Sequence, residues 1–444
     1  MKKQTSVLVI VISLMFVLSA RAQDAMRRVV NTFVDVQYPS LFELYTNLHA
    51  NPELSFQEQK SSARLAEELE RAGYAVTTKV GGYGVVAIFT NGPGPTVMVR
   101  CDLDGLPVKE QTGVPYASKV TTKDEAGNDV HVMHACGHDV HMTCLVGTAR
   151  TLKEFKSHWS GTLVLIGQPA EERGGGARAM LKDGLFTRFP KPNVCVALHD
   201  NSSLPAGKVS YTEGFAMANV DSVDITVRGV GGHGAYPQAT KDPVVLAAEI
   251  VLALQTIVSR EIAPGDPAVV TVGSIHGGTK HNIIPDEVQL QLTLRSYTED
   301  VRQKTIAAIK RITRGHALAA GLPEDRLPVV TLRDDFTPAL YNDPALTTKL
   351  AGVFKTWLGE DNVLSRKPVM GGEDFSEFGR TGDKIPVCMF TIGAVTPEAF
   401  KLAESTGKQL PSLHSPIFAP IPEPTIKTGI IAMTAAVLEL MKKP

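Results

Sequence analysis

The chain has 444 residues, which exceeds the size at which one hydrophobic core stops growing, so we expect two domains. Hydrophobic residues make up 43% of it and charged residues 20%, proportions that are ordinary for a folded globular protein. Because 45 lysines and arginines nearly balance 46 aspartates and glutamates, the charge gives no electrostatic case for binding nucleic acid or an anionic membrane.

The first 22 residues have the layout of a secretory signal peptide. Two lysines precede an apolar run at residues 7–18, and Ala20-Arg21-Ala22 forms a cleavage signal of small residues. An uncleaved membrane anchor is the alternative, but the run is short for a membrane span. We therefore predict cleavage after Ala22 and a secreted or periplasmic protein. We recognise no second long apolar span in the sequence.

Five cysteines occur in the chain, too few for a disulfide scaffold at this length. The odd number leaves at least one thiol unpaired, and whether any of the others pair stays open at this point. The cysteines are Cys101, Cys136, Cys144, Cys195 and Cys388.

Before residue 110 the hydrophobic pattern predicts two helices followed by two strands. Apolar residues three and four apart run from residue 38 to residue 73, with a break at Asn51-Pro52. Two apolar runs at residues 84–90 and 96–100 then indicate buried strands, separated by a turn rich in glycine and proline.

Residues 134–141 concentrate the side chains that bind divalent metals: three histidines, a cysteine and an aspartate in eight positions. Cys136 and His138 are two apart, a spacing that does not put both on one helix face. A tight loop through Gly137, which lacks a Cβ, would direct both side chains at one point. The alternative, a few buried polar residues before a helix that starts near His141, does not explain so many metal-binding groups. The pattern predicts a metal site.

Polar residues follow three of the predicted strands. Asp102 and Asp104 follow the strand at 96–100, Glu171 and Glu172 follow one at 162–168, and His199 follows one at 194–198. Taken singly, each acid is better explained as a turn or helix cap. Because ligands of α/β sheets bind beyond the carboxyl ends of the strands, the repeated placement predicts that these residues converge. Neighbouring side chains on extended backbone point in opposite directions, which would give the two glutamates different roles.

The pattern changes near Ala218. Between there and residue 333 the elements follow the order β-α-β-β-α-β of a ferredoxin-like domain, with His233 in a glycine-rich loop at residues 229–236. Polar clusters resume afterwards, so the domain is interpreted as an insertion. We predict an α/β protein with a signal peptide at 1–22, a mixed-sheet catalytic domain sandwiched by helices at 23–217 and 334–444, and the inserted smaller βαββαβ domain at 218–333.

These motifs resemble the dinuclear metallo-amidohydrolases and metallopeptidases of the aminoacylase and carboxypeptidase clan. The closest resemblance is to the branch of hippurate hydrolase, N-acyl-amino-acid amidohydrolases and plant auxin-conjugate hydrolases. It extends in order over nearly the whole mature chain, and the Cys-Gly-His-Asp block followed by Glu-Glu is its most specific part. The motifs are His49-Ala50-Asn51-Pro52-Glu53-Leu54-Ser55-Phe56, Arg100-Cys101-Asp102-Leu103-Asp104-Gly105-Leu106-Pro107, His134-Ala135-Cys136-Gly137-His138-Asp139, Gln168-Pro169-Ala170-Glu171-Glu172, Gly232-His233-Gly234-Ala235, Asn282-Ile283-Ile284-Pro285-Asp286, Gly372-Glu373-Asp374-Phe375 and His414-Ser415-Pro416.

The resemblance implies roles for individual residues. Glu171 would be the catalytic base, and His233 would donate to the oxyanion, often across the interface of a homodimer. The inserted domain would serve as lid and dimerisation domain. Five ligands cannot fill two separate four-coordinate sites, so Cys136 is the candidate to bridge two divalent ions (Zn, Mn, Co or Ni). The implied metal ligands are Cys136, His138, Glu172, His199 and His414; the implied substrate-binding residues are Asn282 and Arg295; and the implied supporting residues are Asp102, Asp104 and Asp139.

Two places depart from the pattern of this branch. Cys101 and Gly105 stand where alanines are usual, which changes the packing under the site. The residues at 200–203, Asp-Asn-Ser-Ser, also differ from the common pattern after His199, which weakens any transfer of substrate preference.

Three functions fit the sequence. The leading one is a secreted, metal-dependent amidohydrolase that cleaves the amide bond of N-acyl amino acids. A metallo-exopeptidase or dipeptidase would use the same chemistry on a short peptide. A non-catalytic binding protein, or a structural site for one metal ion, is the third, and an intact Glu171 beside a complete ligand set argues against it.

Overall fold

The structure, a computed structural model, describes residues 2–334 and 336–443, with side chains described from Asp24 onward. The predicted signal peptide therefore lies outside the residues whose side chains are described, and it stays a prediction.

Helices and strands are numbered here in chain order. The helices are α1 Lys2–Ala50, α2 Gln59–Arg71, α3 His138–Glu154, α4 Gly176–Lys182, α5 Leu185–Arg188, α6 Pro243–Thr256, α7 Glu299–Ala319, α8 Pro344–Leu358, α9 Ser376–Gly379, α10 Pro397–Thr406 and α11 Pro422–Leu440. The strands are β1 Ala75–Val80, β2 Gly84–Asn91, β3 Thr96–Asp102, β4 Thr121–Lys123, β5 Asp129–His131, β6 Gly161–Gln168, β7 Val194–Pro205, β8 Val209–Tyr211, β9 Gly214–Met217, β10 Asn219–Arg228, β11 Gly232–His233, β12 Ala268–Gly277, β13 Ile283–Ile284, β14 Glu287–Ser296, β15 Val329–Leu332, β16 Leu340–Asn342, β17 Val363–Ser365 and β18 Val387–Val395.

The described chain divides into two compact units. Unit 1 comprises residues 1–213, 342–366 and 378–444, and unit 2 comprises residues 214–341 and 367–377. Unit 2 thus includes the whole of the expected insertion, together with a short later segment. The exact bounds of the inserted domain stay a prediction.

Unit 1 is built on a mixed eight-stranded sheet in the order β1-β2-β6-β3-β7-β18-β8-β17. The four central strands β6, β3, β7 and β18 run parallel. The pairs β1–β2, β2–β6 and β18–β8 are antiparallel, and β8 pairs parallel with β17. Successive residues of β3 are buried on both faces, as in sheets that helices cover on both sides. Helices α1, α3 and α11 pack against one another over one face. The predicted α/β class with a mixed sheet between helices is confirmed.

Unit 2 contains a four-stranded antiparallel sheet in the order β12-β14-β10-β15. Residues of β10 alternate between buried and partly exposed, because only one face of the sheet is covered by α6 and α7. Val223, Ile225 and Val227 from that strand pack in one core with Ile250 of α6 and Ile309 of α7. With α6 after the first strand and α7 after the third, this is the predicted βαββαβ arrangement.

One described helical stretch, Pro243–Glu261, is long and apolar enough to cross a membrane by length and composition alone. The expectation that no second such span exists is therefore wrong on that criterion. The core helix of a soluble domain meets the same criterion, and Leu246, Ile250 and Leu254 of this stretch are buried against the sheet of unit 2.

Two local predictions near the site are corrected by the structure. Helix α3 begins at His138 and not near His141, because Gly137 takes a left-handed conformation (φ +73°) that turns the chain directly into the helix. Strand β7 does not end before His199, because β18, a strand that the hydrophobic pattern did not reveal, pairs with it on both sides of that residue.

The carboxyl ends of β3 and β6 nevertheless lie level with the part of β7 that contains His199. Asp102, the last residue of β3, is opposite Gln168, the last of β6. Pairing of β3 with β7 ends at Arg100 and Ala197, so His199 lies just beyond the part of β7 that pairs with β3. The fold therefore delivers polar residues from three strands to one edge of the sheet.

Candidate functional site

The loop before α3 directs Cys136 and His138 at the same space. Gly137 between them is required sterically, because a Cβ at this position would lie 2.4 Å from the Asp200 carboxylate. Both side chains are buried. A left-handed glycine at the N-terminus of a helix thus places a thiol and an imidazole together, as the spacing of the motif predicts.

Two histidines are held with one ring nitrogen free for a metal. His138 Nδ1 lies 2.7 Å from the carbonyl oxygen of Asp104, and His199 Nδ1 lies 2.7 Å from that of Asp200. A carbonyl oxygen can only accept, so each Nδ1 carries the proton and donates it. In the neutral imidazole, Nε2 then presents a lone pair, and this is the tautomer that binds metals through Nε2.

Cys136 lies at the centre of the cluster. Its sulfur is 3.5 Å from His199 Nε2 and 3.3 Å from His414 Nε2. Glu172 Oε1 is 3.5 Å from the same nitrogen of His414 and 3.9 Å from His138 Nε2. The structure thus brings all five predicted ligands together in unit 1.

The donor set fits a pair of divalent ions. Cys136 belongs to one group of possible ligands with His138 and His199 and to another with Glu172 and His414, each group spanning less than 4.8 Å. His138 Nε2 and Glu172 Oε1 are buried and have no hydrogen-bond partner within the described part of the chain, a costly arrangement unless a cation satisfies them. Thiolate, imidazole and carboxylate are the ligands of zinc and similar borderline ions.

The ionised forms of Cys136 and Glu172 are disfavoured in the cluster unless positive charge lies nearby. Burial raises the pKa of the Cys136 thiol well above its ordinary value, and the carboxylates of Glu172 and Glu171 raise it further. Burial raises the pKa of Glu172 to about 7. A thiolate and an ionised Glu172 at this place therefore depend on neighbouring cations.

Glu171 lies next to the ligands without being one of the five. Its Oε2 is 3.8 Å from His138 Nε2, and its side chain is 9% exposed. The backbone N–H groups of Glu171 and Glu172 both donate to the Asp104 carboxylate, at 3.2 and 3.0 Å. One aspartate thus fixes the backbone of the two adjacent glutamates, whose carboxylates both lie within 4 Å of His138 Nε2.

His414 is held in an unusual backbone conformation. Its φ is +65°, a left-handed value that costs a residue with a side chain about 1–3 kcal/mol. Its N–H donates to the carbonyl oxygen of Ala135, next to Cys136, at 2.8 Å. The ring is nevertheless half exposed, so this side of the cluster is open.

Behind the ligands lies a chain of buried hydrogen bonds. The Asp200 N–H donates to His141 Nε2 at 2.9 Å, so His141 Nδ1 carries the proton and donates it to Asp102 at 2.6 Å. Arg100 donates to the other oxygen of Asp102 at 2.7 Å. His141 therefore has both ring nitrogens engaged, and Asp102 supports the site as part of this chain, 3.6 Å from His138 Nε2.

Asp139, the third predicted supporting residue, directs its carboxylate at His49. That carboxylate binds His49 Nδ1 at 2.6 Å, and Glu110 binds the other ring nitrogen of His49 at 3.0 Å. The bonds to these carboxylates outweigh the effect of burial, which by itself lowers the pKa of His49, and raise that pKa to about 10. Because Asp139 is the second residue of α3, this triad supports the first turn of the helix and not a ligand directly.

Three predicted site residues belong to unit 2. His233 is exposed on β11, where it pairs with Ile283, and Asn282 lies next to it because the Gly234 N–H donates to the Asn282 carbonyl oxygen at 2.9 Å. Arg295 is close to the far end of β14, opposite Val220. Within unit 2, His233 and Asn282 are therefore neighbours and Arg295 is apart from them.

Two residues that contact the site were not recognised as functional from the sequence. Glu58 is fully buried and accepts a hydrogen bond from the N–H before Glu171. Asp200 supports His199 through its carbonyl oxygen. Glutamate is ordinary at the start of a helix and aspartate in a loop, so only the departure from the family pattern at residue 200 was a signal. All five cysteines are free and buried.

Comparison with known proteins identifies the family of the chain. Residues 98–406 match the profile of peptidase family M20/M25/M40. Thermostable carboxypeptidase 2 of Saccharolobus solfataricus is 35% identical over 407 residues, which cover 91% of this chain and 96% of that protein. Hippurate hydrolase of Campylobacter jejuni is 35% identical over 333 residues, which cover 74% of this chain and 82% of that one.

A solved structure adds a likeness in three dimensions. The YXEP protein of Bacillus subtilis, described as a dinuclear metal-binding peptidase from the M20 family, superimposes with a TM-score of 0.73 at 27% identity. The match covers 92% of this chain and 99% of that one. The predicted resemblance and the prediction of an enzyme are confirmed: the chain belongs to peptidase family M20/M25/M40 and is a hydrolase that acts on amide bonds.

Proposed function

We propose that the protein hydrolyses the amide bond of small N-acyl amino acids at a site for two divalent ions. One observation carries the proposal: Cys136 belongs to two groups of possible metal ligands, and Glu171 lies beside His138 of the first group. The hippurate hydrolase relative is named for an N-acyl amino acid, and the YXEP protein is described as dinuclear. Cys136, His138, Glu172, His199 and His414 would hold the ions.

In the proposed mechanism Glu171 transfers the proton and Asp104 holds the backbone of Glu171. When bound, the two ions polarise the amide carbonyl and lower the pKa of the attacking water. Glu171 Oε2 takes a proton from that water, holds it and delivers it to the leaving amine nitrogen. The Asp104 carboxylate keeps the backbone of Glu171 in place during both transfers.

Further parts of the proposal extend beyond unit 1. His233 donates a hydrogen bond to the tetrahedral oxyanion, while Asn282 and Arg295 bind the substrate; His233 belongs to the same chain or to the partner subunit of a homodimer. The mature protein begins after Ala22 and acts outside the cytoplasm. The roles of His233, Asn282 and Arg295 are supported by the resemblance of the motifs, and the cleavage site is supported by the layout of the N-terminus.

An exopeptidase is the second candidate function. Its support is the carboxypeptidase relative, which covers 91% of this chain and 96% of its own length. The bond and the catalytic groups are the same in both cases, so only the substrate distinguishes them. Kinetics of the metal-loaded protein with N-acetyl, N-benzoyl and indole-acyl amino acids, beside dipeptides, decide between the two.

Two variants test the roles of the adjacent glutamates. Glu171→Gln should retain both ions and lose about 10²–10⁴-fold in kcat, because proton transfer is needed only at the transition state. Glu172→Gln should lose metal affinity, because a neutral amide oxygen is a weaker ligand than a carboxylate. Steady-state kinetics and metal analysis provide the measurements. Full activity of Glu171→Gln, or metal loss there with metal retained in Glu172→Gln, would contradict the assignment.

A further inference from the structure

One buried carboxylate oxygen binds two residues that both have left-handed backbone. Phe56 (φ +64°) and Ala170 (φ +49°) are two of the few non-glycine residues with positive φ in the described chain. Their N–H groups donate to the same atom, Glu58 Oε1, at 2.9 and 2.7 Å. Glu58 is fully buried, so no water competes for these bonds.

Glu58 stands where an acidic side chain usually caps the N-terminus of a helix. It precedes α2 as the N-cap residue, where acidic side chains commonly accept N–H groups of their own helix, but its side chain makes no such bond to the described residues of α2. Glu53 does this instead, since its Oε2 accepts from the N–H groups of Lys60 and Ser61 at 2.7 and 2.8 Å. The side chain of Glu58 therefore binds the loop at residue 170 and not its own helix.

That loop sets the direction of both glutamates of the site. Ala170 immediately precedes Glu171, and its carbonyl oxygen accepts from the N–H groups of Gly175 and Gly176, both at 3.2 Å. The next two N–H groups, of Glu171 and Glu172, donate to Asp104. Three consecutive N–H groups are thus held by two buried carboxylates. Without the bond from Glu58, alanine at this position would favour a right-handed or extended conformation.

We propose that Glu58 is a positioning residue that holds Ala170 in its left-handed conformation and thereby directs Glu171 at the reacting water. This inference rests on the proposed function of Glu171. Oε1 makes both bonds, whereas Oε2 has no hydrogen-bond partner among the described residues, so the role requires an acceptor at Oε1 and no particular charge. Burial raises the pKa of Glu58 to about 7, and a protonated carboxyl group would accept the same two bonds.

The first test is Glu58→Ala beside Glu53→Ala as a matched control. Each variant removes a carboxylate that accepts two N–H groups and lies close to the start of α2 in the chain, but only that of Glu58 accepts from Ala170. We expect Glu58→Ala to lower kcat about 10- to 100-fold, as misplacement of a catalytic group does, with two ions retained and KM little changed. Glu53→Ala should lower Tm without that loss. Equal losses of kcat in the two variants would overturn the proposal.

A second test uses the backbone itself. Glycine adopts positive φ without the steric cost of a Cβ, so Ala170→Gly added to Glu58→Ala should recover about fivefold or more in kcat. Absence of any recovery, with the double variant folded and loaded with two ions, would overturn the proposal. If Glu58→Ala cannot be obtained folded, Glu58→Gln decides, because it keeps the acceptor. A kcat within about threefold of the parent supports the role, and a loss as large as that of Glu171→Gln overturns it.

A third test separates this inference from the proposed function. If Glu58 acts through Glu171, adding Glu58→Ala to Glu171→Gln should lower kcat little further, because the group it positions is already gone. An undiminished loss in that background would overturn the role of Glu58. Full activity of Glu171→Gln alone would instead contradict the proposed function, so the two failures are distinguishable.

Discussion

At the scale of single residues, His49 connects the site to the stability of the fold. Its ring is buried between the carboxylates of Asp139 and Glu110, which raise its pKa to about 10 from an ordinary value of 6.5. The folded state therefore binds the proton more tightly than the unfolded state. The stabilisation is fully present below about pH 6.5 and is lost as the pH rises through about 10.

A pH series of urea unfolding tests this residue. Between about pH 6.5 and 10, His49 should make the free energy of unfolding fall by up to about 1.4 kcal/mol per pH unit. His49→Gln should remove this part of the slope, and His158→Gln, at an exposed position, should leave it in place. An unchanged slope in His49→Gln would show that the triad does not hold the proton.

How much of the site the sequence predicts also depends on the residue. Cys136 and His138 are recognisable because metal-binding side chains rarely stand so close in a chain. Glu171 and Glu172 follow a strand, so their place at the sheet edge is predictable from the topology of α/β proteins. Glu58 is not predictable, since its neighbours in sequence indicate only the start of an amphipathic helix. Its contact with Ala170 joins positions 112 residues apart.

At the scale of elements, α3 carries His138 in its first turn and is positioned by its packing on α11. The two helices approach closely because each has a glycine where the other has a side chain. A Cβ at Gly147 of α3 would lie 2.3 Å from Ile430 Cδ1, and one at Gly429 of α11 would lie 2.5 Å from the sulfur of Cys144. Ordinary helix propensity would favour alanine at both positions, so the glycines serve the close approach.

Substitution of one of these glycines tests the packing. Gly429→Ala should destabilise the protein by about 1–3 kcal/mol, as overpacking of a filled core does. Gly352→Ala is the control, because that glycine is exposed in α8, where an added Cβ would meet no described atom within 4 Å, and it should stabilise by up to about 1 kcal/mol. Chemical denaturation measures both, and a neutral Gly429→Ala would rule out the close contact.

The elements also show where pattern reasoning ends. Helices α2 and α7 were predictable from their spacing of apolar residues. The ferredoxin-like order was predictable from the succession of strand and helix patterns between residues 218 and 333, which begins with the alternation along β10. The central strand β18 was not recognised, although residues 387–395 are almost all apolar. A short apolar run fits a buried strand or a helix equally well. Residues 387–395 form a strand because they pair with β7, and this pairing exists only in the folded chain.

At the scale of the whole molecule, the chain consists of two units with separate cores, and the candidate ligands all belong to unit 1. His233 belongs to unit 2 and is exposed there. If it donates to the oxyanion as proposed, His233→Ala should lower kcat about 10²–10³-fold while both ions stay bound. The exposed His281→Ala, also in unit 2, is the control. Unchanged kcat and KM in His233→Ala would remove the oxyanion role.

The central claim for the whole molecule is that the active protein holds two divalent ions per chain, with Cys136 between their ligand groups. Elemental analysis of the purified, active protein tests it most directly, combined with activity during chelation and reconstitution. We predict two equivalents of metal per chain, loss of activity on chelation, and recovery only when the second equivalent has been restored. Full activity with one tightly bound ion per chain would contradict the account.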